Sequence, residues 1–245
     1  MLSKSITTVW AISLQVTDDQ RDECRDLLSE EERARAERFV FDWLRRRYIV
    51  AHGRMRSILG RHTGIPAREL RFEATQHGKP FLDPTFDTHF NLSHSGELAI
   101  LAIGATELGA DVELIRPLEN FENVATGFFS EREVAELHRY PAPERLRAFY
   151  RCWTRKEAYI KAIGEGLSIP LGSFVVSLAE KEAALLETTP PERGVGWTIT
   201  ALDLGSDYVG AVVIRDPQGT VEMRWWGNCE LVMSPDNGED EAKGE

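Results

Sequence analysis

Two short stretches of this sequence carry acids and bases at spacings suited to chemistry on an anion. Asp111 and Glu113 flank Val112 within an apolar run over 108–115. In a strand, residues two apart project from one face, so both carboxylates can reach a single divalent cation. Hard oxygen donors of this kind suit magnesium, which keeps several waters and completes its shell with substrate phosphates. Farther along, Trp153, Glu157 and Lys161 recur every four residues, which places a carboxylate between an indole and an ammonium on one helix face. Acids at strand period and glutamate–lysine pairs four apart are also ordinary on solvated surfaces, so neither motif alone defines a site. The tryptophan draws the second motif towards the interior.

Other segments add groups that bind phosphate. The run FNLSHSG at 90–96 ends a strand in a polar turn, where Ser93, His94 and exposed backbone N–H groups can grip phosphate oxygens. Gly78-Lys79-Pro80 sets a cation on a rigid turn. Between Arg33 and Arg71 stand eleven arginines against the three acids Glu37, Asp42 and Glu69, a local basic region in an acidic chain. The net charge of −11 argues against general nucleic-acid binding, which rests on basic residues neutralising phosphates. No stretch approaches the roughly 18 apolar residues of a membrane span, and residues 1–10 have no leader pattern. A cytoplasmic, monomeric protein that binds no membrane is the expectation. Cys24, Cys152 and Cys229 are odd in number and widely spaced, which fits neither a disulfide framework nor a zinc site.

These residues need elements to hold them. A strand is predicted over 7–14, then a capping box at Thr17–Gln20 opening a short helix to Leu28. A second box at Ser29–Glu32 opens a helical region to Gly60 or Gly64, broken near Phe41-Asp42, with Tyr48, Val50, Ala51, Met55, Ile58 and Leu59 on its buried stripe. Strands follow at 71–75, 89–93, 98–103 and 108–115. After Arg116-Pro117 a third capping box begins at Ser130, and Pro143 suits the first turn of a helix ending at Gly164. Strands at 173–178, 196–202, 208–214 and 221–226 complete an antiparallel run. Helices followed by strands, used twice, predict an α+β protein with an N-terminal lobe over 1–115 and a C-terminal lobe over 116–233. Residues 234–245, with five acids against one lysine, read as a disordered acidic tail.

In this order, FNLSHSG at 90–96, GADVE at 109–113 and WTRKEAYIK at 153–161 resemble the Sfp-type 4′-phosphopantetheinyl transferases, as do GKP at 78–80, FFS at 128–130 and GEGLS at 164–168. The resemblance implies a pseudo-dimer of two similar α/β lobes with coenzyme A in the cleft between them. It implies transfer of phosphopantetheine to a serine of an acyl or peptidyl carrier protein, with magnesium required and 3′,5′-ADP released. Asp111, Glu113 and Glu157 match the family's magnesium ligands, and Lys161 matches its lysine near the phosphates. Ser93 and His94 match phosphate-contacting positions, Lys156 is a further phosphate neighbour, and Arg47 and Lys79, the latter beside Pro80, match positions holding the nucleotide end. The general base is Glu157 or, second, Lys161. One departure is Glu32, which with Arg35 takes the place of two lysines and leaves Arg38, Arg45 or Arg46 to complete the 3′-phosphate clamp. Phe128 and Phe129, ahead of the capping Ser130, are the expected carrier contact, with one ring free if the other packs as a helix staple. A magnesium nuclease and a carrier binder without activity are the competing readings. The charge of −11 disfavours the first, and the intact acids and Lys161 disfavour the second.

Overall fold

The computed structural model describes residues 5–226. Cys229, the end of the second predicted lobe and the 234–245 tail lie outside the described residues. The chain begins with strand β1 (Ile6–Ser13) and helices α1 (Asp18–Leu27) and α2 (Glu30–Ala36). Both helices carry the expected capping boxes, Thr17 with Gln20 and Ser29 with Glu32, which satisfy N–H groups at the helix start. Helix α3 (Asp42–Thr63) stops at Gly64, whose φ of 78° suits a residue without Cβ. The hairpin of β2 (Glu73–Ala74) and β3 (Pro80–Phe81) precedes β4 (His89–Ser95), β5 (Leu98–Gly104) and β6 (Leu108–Leu114). Next come α4 (Phe121–Phe128), α5 (Glu131–Arg139), capped by Ser130 and Glu133, and α6 (Ala142–Ile163), capped by Gly164 at φ 79°. Strands β7 (Phe174–Val176), β8 (Leu185–Thr188), β9 (Thr198–Leu202), β10 (Tyr208–Ile214) and β11 (Thr220–Trp226) complete the described chain.

The two main sheets run β11-β1-β5-β4 and β6-β10-β9. One core joins α3 to the first sheet, through Ile49, Met55 and Leu59 against Phe90, Leu101 and Ile103. A second lies between the sheets, where Val9, Ala11 and Ile100 meet Ala110, Val112 and Val212. The third joins α6 to the second sheet, through Phe149, Tyr159 and Ile160 with Ala211 and Val213. The result is four layers, helix, sheet, sheet, helix, of the α+β class.

The sheets do not respect a cut at residue 115. Strand β6 pairs antiparallel with β10 and belongs to the second sheet. Strand β11 leaves the expected antiparallel run and pairs parallel with β1 in the first sheet. There it covers an edge of β1 that would otherwise stay unpaired, and Val221, Met223 and Trp225 pack on the core between the sheets. Helix α4 and strand β8 were not foreseen, and the strand expected over 71–75 shrinks to the two residues of β2.

An ion pair around a buried cation recurs in both lobes. In the first, Glu32 of the capping box accepts from Arg56 Nε at 2.6 Å, and Arg56 donates to Ala67 O and Leu70 O while its guanidinium lies over the Phe72 ring. In the second, Glu133 of the capping box pairs with Lys156 Nζ at 2.8 Å, and Lys156 donates to Leu171 O and Phe174 O over the Phe174 ring. Arg56 and Lys156 each stand eight residues before the glycine that ends a 22-residue helix. A cap glutamate, a buried cation on the long helix, and the carbonyls of the following loop thus recur in each half.

Lys156 therefore is not a phosphate neighbour. Both it and Glu133 are 0% exposed, and the ammonium is spent on a carboxylate and two carbonyls inside the second lobe. Removing one partner of such a pair strands a buried charge, so Glu133→Ala should lower the unfolding free energy by about 3–5 kcal/mol. Urea unfolding checks this: the midpoint should fall with the slope unchanged, and Glu133→Met combined with Lys156→Met should recover most of the loss.

Candidate active site between the lobes

The edge strand of the first sheet, β4, lies against the edge strand of the second, β6, and side chains replace a backbone ladder between them. Asn91 Oδ1 accepts from Ala110 N at 2.8 Å, Ser93 Oγ donates to Asp111 Oδ1 at 2.8 Å, and Ser95 Oγ donates to Glu113 Oε2 at 2.6 Å. Strand periodicity explains the sorting: Asn91, Ser93 and Ser95 share one face of β4, while Ala110 and Val112 turn to the core between the sheets. Helix α6 then brings Lys161 Nζ to Asp111 Oδ1 at 2.6 Å and to Ser93 Oγ at 3.0 Å. Ser93, Asp111 and Lys161, from three elements of both lobes, meet at one point.

A glycine permits this approach. A Cβ on Gly109 would stand 2.2 Å from Ala162 N and 2.3 Å from Ala158 O, so β6 lies directly on the α6 backbone. Lys79 clasps the same junction, donating from Nζ to Leu108 O at 2.9 Å and Ala162 O at 3.0 Å. Burial pushes its ammonium down to about 8. Lys79, Pro80, Asn91, Glu157 and Lys161 line one cavity of about 260 Å³.

The charges around this cavity oppose one another. Burial raises the Glu157 carboxyl above the usual carboxylate range, and the charges of Asp111 and Glu113 add to that while Lys161 works against it. Glu113 is raised by burial too, against the hydrogen bond from Ser95. Asp111 Oδ2 is buried and makes no hydrogen bond. Clustered carboxylates with an unused buried oxygen form a donor set that fits a hard divalent cation. As placed, no three His, Cys, Asp or Glu side chains among the described residues already enclose an ion site.

On the first lobe, His94 sits at the open rim yet is desolvated by the cleft walls. Burial first, then the charges of His52, Lys161 and Arg47, hold its imidazole below the usual range. His52, Lys161 and Arg47 thus lie close enough to bear on the imidazole. His52 of α3 went unnoticed in the sequence, because only the packing of α3 brings it near His94. Arg47 pairs with Glu97 through Nε at 3.0 Å and lies 4.6 Å from the Trp43 ring centre. Of the possible clamp arginines, Arg45 pairs with Glu37 at 3.4 Å and Arg46 with Asp18 at 2.6 Å. Burial alone would raise the Glu32 carboxyl, but His52, the Ser29 N–H and Arg56 pull it down to about 2. Glu32 is a structural residue and takes no part in a phosphate clamp. Phe129 is 6% exposed and stacks on Phe149, whereas Phe128 is 51% exposed and meets Trp153 edge-on.

Comparison with known proteins follows the same division. A family model described as "4'-phosphopantetheinyl transferase, N-terminal" matches residues 15–106, and one described as "4'-phosphopantetheinyl transferase superfamily" matches residues 107–213. The 4′-phosphopantetheinyl transferase HetI of Nostoc is 36% identical over 210 residues, covering 84% of this chain and 86% of the relative. The 4′-phosphopantetheinyl transferase psf-1 of Bacillus pumilus is 34% identical over 92% of this chain and 97% of its own. Sfp of Bacillus subtilis is 31% identical over 82% of this chain and 88% of its own. The chain belongs to the 4′-phosphopantetheinyl transferase family. It is an Sfp-type transferase with that family's two-lobed fold. The two family models meet at residues 106 and 107, just before β6, the strand that joins the second sheet of the transferase. No helix among the transferase's described residues is long and apolar enough to cross a membrane.

Because Gly109 sets the spacing between β6 and α6, Gly109→Ala should displace Lys161 and Glu157 from Asp111. The expected outcome is a loss of about 1–3 kcal/mol of stability, with a fall in transfer rate well beyond the unfolded fraction. Gly127→Ala, in α4 with open space around it, should leave both unchanged or slightly improved. Unfolding curves and initial rates on the same preparations check this.

Proposed function

We propose that this enzyme moves the 4′-phosphopantetheine arm of coenzyme A onto a serine of an acyl or peptidyl carrier protein, with Asp111, Glu113 and Glu157 holding magnesium and 3′,5′-ADP leaving. The observation that carries this reading is the buried, unbonded Asp111 Oδ2 beside Glu157 and Glu113, at a junction that also holds Lys161 and Ser93. Magnesium bound there neutralises charge on the pyrophosphate oxygens.

The chain's own residues supply the rest. Two of the three Lys161 N–H bonds go to Asp111 and Ser93, leaving one for a phosphate oxygen. Arg47, with His94 nearby on the first lobe, suits the nucleotide end and its 3′-phosphate. The carrier serine Oγ bonds to the β-phosphorus as the bond to the bridging oxygen breaks, and 3′,5′-ADP leaves with the electron pair. Glu157, its carboxyl raised by burial and the neighbouring carboxylates, accepts the serine proton. Phe128 and the adjoining Trp153 edge offer the carrier an apolar contact. With a net charge of −11, the enzyme gains little long-range steering towards an acidic carrier, so short-range packing carries the docking.

Intact-mass measurement of apo carrier incubated with coenzyme A and magnesium should show the added phosphopantetheine. Glu157→Gln should lower kcat by about 100-fold or more with the fold unchanged, and near-normal turnover would remove Glu157 as the base. Arg47→Ala should weaken coenzyme A much more than 3′-dephospho-coenzyme A, and equal losses would place the 3′-phosphate elsewhere. Phe128→Ala should raise KM for the carrier and leave kcat intact.

A further inference from the structure

Helix α6 carries a second set of cations that the transfer reaction leaves unused. Arg147, Arg151 and Arg155 recur every four residues and form a stripe offset by two positions from Trp153, Glu157 and Lys161. They therefore face away from the catalytic cleft, towards β9, β10 and the segment after β7. There they line a cavity of about 390 Å³, with Leu202, Leu204 and Val209 among its apolar walls and Lys181 at its exposed rim. Glu180 and Asp203 also line it, so the four cations outnumber the acids.

Two of these arginines are deeply buried, Arg151 at 7% and Arg155 at 1% exposure. The ion pairs of α6 run from Arg145 to Glu122, Lys156 to Glu133 and Lys161 to Asp111. Among the described residues, neither Arg151 nor Arg155 joins one. Arg155 is held by neutral acceptors, Ser177 O at 2.6 Å and Ala179 O at 2.7 Å. Burial and the neighbouring Arg151 charge push it down to about 10. Arg147 reaches Ser206 O and ties α6 to the β9–β10 turn. Arg151 Nε is buried and makes no hydrogen bond, and its guanidinium lies 5.5 Å from the Tyr140 ring centre. Two adjacent buried guanidinium groups outside any ion pair are costly, and a bound anion offsets that cost.

We propose that this cavity is a second, non-catalytic site for a small organic anion, whose carboxylate or phosphate group is gripped by Arg151 with Arg147 and Lys181, and whose apolar body rests on Leu202, Leu204 and Val209. The planar guanidinium fork suits both oxyanions, and the cavity volume lies in the range of small-molecule sites.

Isothermal titration of the full chain with phenyl phosphate and with benzoate, at fixed ionic strength, tests the site. Saturable binding of either is expected, and the tighter of the two names the preferred oxyanion. Arg151→Gln should weaken it by about tenfold or more, Lys181→Gln on the rim should weaken it less, and Lys161→Ala should leave it unchanged. Because Arg151→Gln could perturb folding, the Arg151 Nε–H resonance of the unsubstituted protein provides a second measurement, and it should shift on titration. Saturable binding of neither probe, or binding lost in Lys161→Ala and kept in Arg151→Gln, overturns the proposal.

Discussion

Everything at the candidate site depends on the meeting of two sheet edges. Strands β4 and β6 form no ladder with each other, and Asn91, Ser93 and Ser95 instead bond from one strand to the other. The side-chain seam leaves Asp111 and Glu113 facing α6, and it fixes the lobes at one register. Gly109 lets α6 approach closely enough for Lys161 to reach Asp111 and Ser93 together. The geometry of the candidate site and lobe assembly are therefore one constraint.

Each lobe solves its internal problem in the same way. A capping-box glutamate reaches into the interior to meet a cation on the long helix, and that cation also satisfies carbonyls of the following loop. In this arrangement a polar network fixes where the loop after each long helix begins. The cost of burying the charges is offset only because every member is bonded. The two networks are chemically distinct, arginine in one and lysine in the other, so the repeat is plain in space and faint in the sequence.

The features legible in the sequence were those with local period. Capping boxes, the glycine stops of α3 and α6, and the strand holding Asp111 and Glu113 follow from neighbours a few residues apart. Tertiary assignments were harder. Alternation in β11 marks a strand but not its partner, so its crossing to β1 could not be read. The resemblance sets Lys156 among the phosphate neighbours, yet it is one residue from Glu157, and residues one apart on a helix point about 100° apart. Its own stripe, with Phe149, Cys152, Tyr159 and Ile160, is apolar and was the available signal. Arg56 lies on a similar stripe with Ile49, Leu59 and Gly60. His52 gave no local signal, since its relation to His94 exists only once α3 packs on β4.

In the proposed mechanism the carboxylates gathered at the β4–β6 seam form one cation-linked binding unit with coenzyme A. Coupling between two ligands is a free energy and is reciprocal, so it can be read at equilibrium without turnover. The direct measurement is the affinity for coenzyme A with and without magnesium, in the wild type and in Asp111→Asn. Magnesium should tighten coenzyme A binding in the wild type, and the substitution should abolish this tightening while the protein stays folded. Equal tightening in both proteins would contradict it.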